Sequence, residues 1–282
     1  MNSTITILRK AKQFIFKNGI DLLFILLAVV YTYQGNVRYI KDPEIVFLNV
    51  GQGDAILVQQ GTQQMLVDTG PDESVMFALS KYMPWYDREI EVLVLTHPHE
   101  DHIGGIYSIL KKYKVGKILY NPVEYGNNGY NYLLENYSDI LVDVEAGGDV
   151  RIGEWFGIII YPFERNSLEE RKKNINNESV VTLLYIKEKK ILLMGDAEKE
   201  VEEELYDYSF LNNIFLLKAG HHCSRTSSHE NFIQKLEPQM AICSCGEKNK
   251  FGHPSNETLE IFRKYNVQYI LTYESGDVRY VF

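Results

Sequence analysis

The run His97-Pro98-His99-Glu100-Asp101-His102 follows directly on the apolar stretch Ile90–Leu95. No other feature constrains the fold as tightly. Three imidazoles and a carboxylate so close together need a loop, since a continuous helix cannot aim all four at one point. Imidazole and carboxylate are ligands for Zn²⁺ and similar divalent ions. The whole chain has 7 histidines, so a chance cluster of three is a poor explanation. Pro98 stiffens the loop, and Gly104-Gly105 permit close backbone approach before a helical pattern over Ile103–Tyr113.

Acids and histidines recur at other predicted strand ends. Asp68 closes the run Gln64–Val67. Asp196 follows Leu192–Met194, and His221-His222 follow the run Ile214–Leu217. Each alone reads equally well as a turn residue or a packed surface residue. Together they predict convergence on one edge of a sheet. Further strands are expected at Ile45–Val50 and Ala55–Gln59, separated by the turn Gly51-Gln52-Gly53-Asp54, and at Lys117–Tyr120, Ile140–Val144 and Trp155–Tyr161. Val180–Ile186 and Ile191–Met194 read as a hairpin across Lys187–Lys190. Met240–Ser244, Tyr269–Thr272 and Val278–Val281 complete the strands. Val75–Tyr82, Glu198–Tyr206 and Glu257–Tyr265 read as helices, and Glu164–Asn177 as a polar loop. The class is α/β (α+β), and a four-layer αββα sandwich is one architecture that suits it.

Charge is uneven. Residues 1–40 hold five basic side chains (Arg9, Lys10, Lys12, Lys17, Arg38) and one acid, Asp21. The remainder carries 24 basic and 37 acidic side chains, which argues against a broad electrostatic nucleic-acid surface but leaves room for a local site. Leu22–Val37 is free of charge, and residues 18–37 approach the roughly 20 residues needed to span a bilayer. The reading is a basic cytoplasmic segment 1–17, a single-pass transmembrane signal-anchor 18–37, and an extracytoplasmic domain 44–282. A cleaved signal peptide is the second reading, but Tyr31-Thr32-Tyr33 offers no small-x-small cleavage site. Cys223, Cys243 and Cys245 match no disulfide or zinc framework by spacing, so Cys243 and Cys245 are expected as buried small residues on one strand face. Unpaired cysteines point instead toward a reducing compartment.

The series Asp68, His97-x-His99-x-Asp101-His102, Asp196 and His222 resembles the metallo-β-lactamase superfamily. Asn49-Val50-Gly51-Gln52-Gly53-Asp54-Ala55, Asn177-Glu178-Ser179, His221-His222-Cys223-Ser224 and Phe251-Gly252-His253-Pro254-Ser255 narrow the resemblance to the C-terminal domain of ComEC-type competence proteins and their free-standing relatives, over residues 44–282. The resemblance implies the αββα fold and a site for one or two Zn²⁺ ions, with Mn²⁺ as the alternative. His97 and His99 would hold the first ion. Asp101, His102 and His222 would hold the second, with Asp196 between them. Asp68 and His221 would support the ligands from behind. Asp101 would take a proton from the attacking water. Lys218, His253 and Ser224 would meet the substrate, as would Asn177 and Ser179. Most of the superfamily has a further histidine between the His cluster and the bridging acid. None lies between His102 and Asp196, which predicts a first ion that is weakly held or absent. After the paired histidines, where the ComEC-type domains usually have Gly, Cys223 either sits close to a metal or, the favoured reading, stands in for that glycine without ligating.

The leading expectation is a phosphodiesterase or nuclease acting through metal-bound hydroxide, since a bound metal lowers the pKa of its water to about 7. DNA is the candidate substrate, and the N-terminal helix the membrane contact. A phosphocholine-ester or β-lactam hydrolase is a second expectation. A non-catalytic binding protein that kept the fold is a third.

Overall fold

The computed structural model describes residues 19, 21–31, 42–163 and 174–282. The chain divides into two units, 1–41 and 42–282. In the first, residues 21–31 are helical and exposed. A helix of that length rises roughly 16 Å, about half a bilayer core. Among the described residues no helix is long and apolar enough to cross a membrane. The rest of the expected 18–37 anchor, the basic segment 1–17 and most of the Glu164–Asn177 loop lie outside the described residues.

Among the described residues, the second unit is built from two seven-stranded sheets. The first contains β1 (Glu44–Phe47), β2 (Ile56–Gln60), β3 (Gln63–Val67), β4 (Glu89–Leu95), β5 (Lys114–Tyr120), β6 (Leu141–Asp143) and β14 (Val278–Val281), in the order β14-β1-β2-β3-β4-β5-β6. The second contains β7 (Asp149–Ile152), β8 (Trp155–Tyr161), β9 (Val181–Ile186), β10 (Lys189–Leu193), β11 (Leu216–Lys218), β12 (Met240–Cys243) and β13 (Gln268–Leu271), in the order β13-β12-β11-β10-β9-β8-β7. Strands β3 to β6 run parallel, as do β10 to β13.

The near-continuous apolar runs exist because both faces of each sheet are covered. Along β1, Ile45 and Phe47 enter the core between the sheets, while Val46 faces the helices Ser74–Ser80 and Ile106–Lys112 through Val75, Leu79 and Ile109. Along β10, Ile191 and Leu193 point inward, and Leu192 packs toward Val201, Leu205 and Ile233 on the outer helices Lys199–Leu205 and Glu230–Leu236. This alternation, with period 2, gives the expected four layers.

Several local expectations need correction. The helix read over Ile103–Tyr113 is two pieces, Glu100–Ile103 and Ile106–Lys112. A Cβ on Gly104 would lie 1.9 Å from the Pro71 carbonyl oxygen, so the break lets two loops touch. Helix Asn128–Asn136 and strand β7 had no strong signal. The first is rich in Asn and Tyr and owes its start to Asn127, whose side chain accepts from the Gly129 and Tyr130 amides. The second is four residues long with alternating burial. The cysteines also depart from expectation. The turn Gly220–Cys223 folds back over the end of β12 and brings Cys223 and Cys243 to a Cα separation of 5.5 Å, where they form a disulfide. Closing a loop of sequence separation 20 contributes about 3 kcal/mol on the chain-entropy estimate. Cys245 remains a buried free thiol.

Candidate metal centre

The topology explains why distant residues meet. Asp68 follows β3, His97 follows β4, Asp196 follows β10, His222 follows β11 and Ser244 follows β12. All leave the carboxyl ends of parallel strands, where loops from neighbouring strands converge. The Gly51–Asp54 turn joins them from the antiparallel β1–β2 pair. A Cβ on Gly53 would lie 2.1 Å from the Asp101 carbonyl oxygen, so only glycine lets this turn lie against the histidine loop. The Asp54 amide then donates to that same oxygen at 3.2 Å.

His102 is the best-oriented histidine. Its Nδ1 lies 2.7 Å from Asp68 Oδ2, and Asp68 in turn accepts from the Thr96 amide at 2.8 Å and hydroxyl at 2.7 Å. The carboxylate assigns the ring proton to Nδ1 and leaves Nε2 with its lone pair outward. His222 is fixed in the same manner, its Nδ1 donating to the Ser244 carbonyl at 2.7 Å. The two Nε2 atoms lie 3.2 and 3.3 Å from Asp196 Oδ1, and Asp101 Oδ2 is 3.3 Å from His222 Nε2. The other oxygen of Asp196 faces His97 Nε2 at 3.7 Å, and that nitrogen lies 3.0 Å from His99 Nδ1. Asp196 therefore offers one oxygen to each pair of histidines.

The donor set fits a divalent cation. Among the described residues, His102 Nε2, His222 Nε2, Asp196 Oδ1 and Asp54 Oδ1 are buried without a hydrogen-bond partner. Leaving such atoms unpaired costs about 1–3 kcal/mol each. Ligand bonds of about 2.0 Å in a tetrahedron put ligand atoms about 3.3 Å apart, close to the separations seen here. Two groups of ligand atoms lie within 4.8 Å of one another, Asp54 with His102, Asp196 and His222, and His97 with His99 and Asp196.

The electrostatics differ between the groups. Burial is the largest influence and opposes charging His102 and His222, but the acids around them, Asp196 and Asp68 for His102 and Asp196, Asp101 and Asp54 for His222, together overcome it and hold both well above the ordinary imidazole range. A divalent cation meets the same negative field. Burial first, then His102, pushes His97 and His99 down. Asp196 and Asp101 sit below the carboxylate range despite burial, because His222 and His102 face them.

The structure brings His97, His99, Asp101, His102, Asp196 and His222 together. Asp68 lies behind His102. His221 lies with Nε2 4.0 Å from Asp196 Oδ2 and Nδ1 2.9 Å from Glu198 Oε1. His253 is half-buried beside them, its ring centroid 5.1 Å from His221 and 6.1 Å from His222. Burial pushes its pKa down to about 4.

Four expected substrate contacts are corrected. Lys218 is fully buried, with Nζ 2.8 Å from Asp54 Oδ2 and donating to the Ala219 carbonyl, so it faces no substrate. Ser179 is fully buried, and its hydroxyl accepts from the Asp196 amide at 3.0 Å and lies 3.5 Å from His97 Nδ1. Asn177 binds the Glu198 amide and the Glu200 carboxylate, which makes it a loop clasp. Ser224 is buried against Thr226, 3.1 Å away.

Asp54 and Glu198 were missed as site residues. Burial alone would raise Asp54, but Lys218 and His222 bring it down to about 2. Glu198 is likewise held at about 2 against burial, by His221 and Asn176. Glu198 lies two residues past Asp196 at the same strand end, which is the signal that could have found it.

Comparison with known proteins agrees with this geometry. Residues 48–161 match the Metallo-beta-lactamase superfamily. ComE operon protein 3 of Bacillus subtilis is 27% identical over 291 residues, covering 96% of this chain and 36% of that protein. Recombination protein 2 of Haemophilus influenzae is 32% identical over 237 residues, covering 82% and 28%. Competence protein ComA of Neisseria gonorrhoeae is 25% identical, covering 91% and 35%. The chain thus spans about a third of the length of these relatives. Among solved structures, the metallo-beta-lactamase fold protein YhfI from Bacillus subtilis superposes with a TM-score of 0.57 at 13% identity, covering 86% of this chain and 100% of that one. CmlA, a diiron beta-hydroxylase from Streptomyces venezuelae, gives 0.56 at 13%, covering 86% and 54%. At these identities the likeness is one of fold.

Proposed function

From the premise that this chain is a metallo-β-lactamase-fold protein similar to the competence proteins, we propose that it is a phosphodiesterase of the ComEC-like type, acting on DNA or a related phosphodiester with Zn²⁺ as its ion. The observation that carries the hydrolase reading is the convergence of unpaired, buried His102 Nε2, His222 Nε2 and Asp196 Oδ1. Two of the relatives' names, Recombination protein 2 and Competence protein ComA, support a nucleic-acid substrate.

Asp101, His102, Asp196 and His222 would hold one ion, joined by Asp54 from behind. His97, His99 and the second oxygen of Asp196 would hold another. Such an ion supplies a Lewis acid and a water of lowered pKa. Asp101 is the ligand carboxylate with the most open side chain, 26% exposed against 2% for Asp196. In this reading it would hold the proton released by an attacking water. His253, beside His221 and His222, would donate a hydrogen bond to the substrate. Mn²⁺ is the alternative ion.

We place the domain outside the cytoplasm, anchored through residues 18–37. The Cys223–Cys243 disulfide supports this, because disulfides persist in oxidising compartments.

The test is metal analysis of the purified chain with activity on single-stranded DNA, bis-p-nitrophenyl phosphate, p-nitrophenyl phosphocholine and nitrocefin. The proposal expects bound metal and turnover of the first two substrates, with the turnover lost in His97→Ala/His99→Ala. Turnover confined to phosphocholine ester or nitrocefin would replace the substrate assignment. Bound metal without any turnover, or no metal at all, would favour a binding protein.

A further inference from the structure

The segment that carries His222 is the most strained piece of backbone in the site. His221, His222 and Cys223 are consecutive non-glycine residues at φ of 44°, 54° and 64°. Such residues occupy this region only when their surroundings over-determine it. Several contacts do so. The His221 amide donates to the Gly195 carbonyl at 3.2 Å, the Ser227 hydroxyl to the Gly220 carbonyl at 2.6 Å, and the Ser255 amide to the Cys223 carbonyl at 2.9 Å.

Two further links run side by side to the end of β12. His222 Nδ1 donates to the Ser244 carbonyl at 2.7 Å. One residue after His222 and one before Ser244, Cys223 is bonded to Cys243. The covalent link therefore fixes the distance across which the ring's orienting hydrogen bond is made. Both sulfurs belong to fully buried residues, so a reductant reaches them only when this loop opens. Cys245, two residues beyond Cys243, is not positioned to take over the bond. It is fully buried and free, its thiol lies against the Cys243 carbonyl at 3.7 Å, and burial keeps it protonated, with its pKa pushed up to about 11.

We propose that the Cys223–Cys243 disulfide is a positioning element for the His222 imidazole, and that it is coupled to metal occupancy of the centre. The inference rests on the metal-centre reading above. A partner that orients a ligand from outside typically changes metal affinity 10–100-fold. Coupling is reciprocal, so the disulfide strengthens metal binding by the same factor by which metal disfavours its reduction at equilibrium. Reduction by dithiothreitol breaks the S–S bond, gives two cysteine thiols, and converts the reagent to its cyclic disulfide.

The experiment uses the full-length chain and Zn²⁺ competed against a chromophoric chelator. The oxidised protein is compared with the reduced protein and with Cys223→Ala/Cys243→Ala, each also in a His222→Ala background. The expected result is a loss of about tenfold in Zn²⁺ affinity on breaking the disulfide when His222 is present, and less than about twofold when it is absent. A general loosening of the fold would lower affinity equally in both backgrounds and overturns the proposal, as do equal affinities of oxidised and reduced protein. The second measurement needs no variant. At equilibrium in a graded glutathione redox buffer, saturating Zn²⁺ should shift the native disulfide about tenfold toward the oxidised form, and an unshifted equilibrium overturns the coupling. Failure of oxidised protein to bind Zn²⁺ at all would sink the metal-centre reading itself, a result separate from binding that ignores the disulfide.

Discussion

Asp196 divides the centre into two halves that are built differently. On its Oδ1 side, His102 and His222 are fully buried, and each has its Nδ1 occupied, by Asp68 and by the Ser244 carbonyl. Asp54 backs this side, itself neutralised by Lys218 at 2.8 Å. On the Oδ2 side, His97 is buried and His99 only partly so, against Tyr125, and the Ser179 hydroxyl lies 3.5 Å from His97 Nδ1. The comparison teaches that ligand count alone does not rank two sites. Orientation from behind does much of the work, and on the Oδ1 side both histidines have it.

The largest expected effect strikes the braced half. Lys218→Ala strands the Asp54 carboxylate in a fully buried place, and removing one partner of such a pair costs about 3–5 kcal/mol. Denaturant unfolding should show that loss, and an unchanged midpoint would mean that Lys218 braces nothing. Next, Asp196→Ala removes the ligand common to both halves. Metal affinity should fall more than about 100-fold at both, beyond what loss of an outer partner costs. Calorimetric titration that still shows one tight site would disprove the shared role. Asp68→Asn keeps the shape but weakens the hold on His102, and should cost about 10–100-fold in affinity on the Oδ1 side alone. The smallest change is at His221, whose Nε2 lies 4.0 Å from Asp196 Oδ2. His221→Ala should weaken the Oδ2 half by about tenfold or less. A larger loss would make His221 the replacement for the absent histidine and narrow the difference between the halves.

How far the sequence revealed this follows the range of the interactions. The His97–His102 cluster was legible because its residues sit within one loop; the ends of apolar runs then pointed to Asp68, Asp196 and the pair His221-His222, and the family resemblance chose His222. Asp54 was read as a turn residue, since its partner Lys218 is remote in the chain and a buried ion pair leaves no local pattern. Lys218 was expected at the substrate for the same reason, since nothing local pairs it with Asp54. The Cys223–Cys243 bond was hidden because its spacing belongs to no motif and is set by how one turn folds over β12. Asn177 and Ser179 marked the right loop, but their side chains serve its internal hydrogen bonds.

The difference between the halves is tested most directly by counting ions. Native protein and the His97→Ala/His99→Ala variant, equilibrated with Zn²⁺ and passed over a desalting column, should be compared by elemental analysis. The account predicts that the variant keeps one ion per chain, held by Asp101, His102, Asp196 and His222. A variant that emerges without metal, while native protein carries it, would contradict the claim that the Oδ1 half is the stronger site.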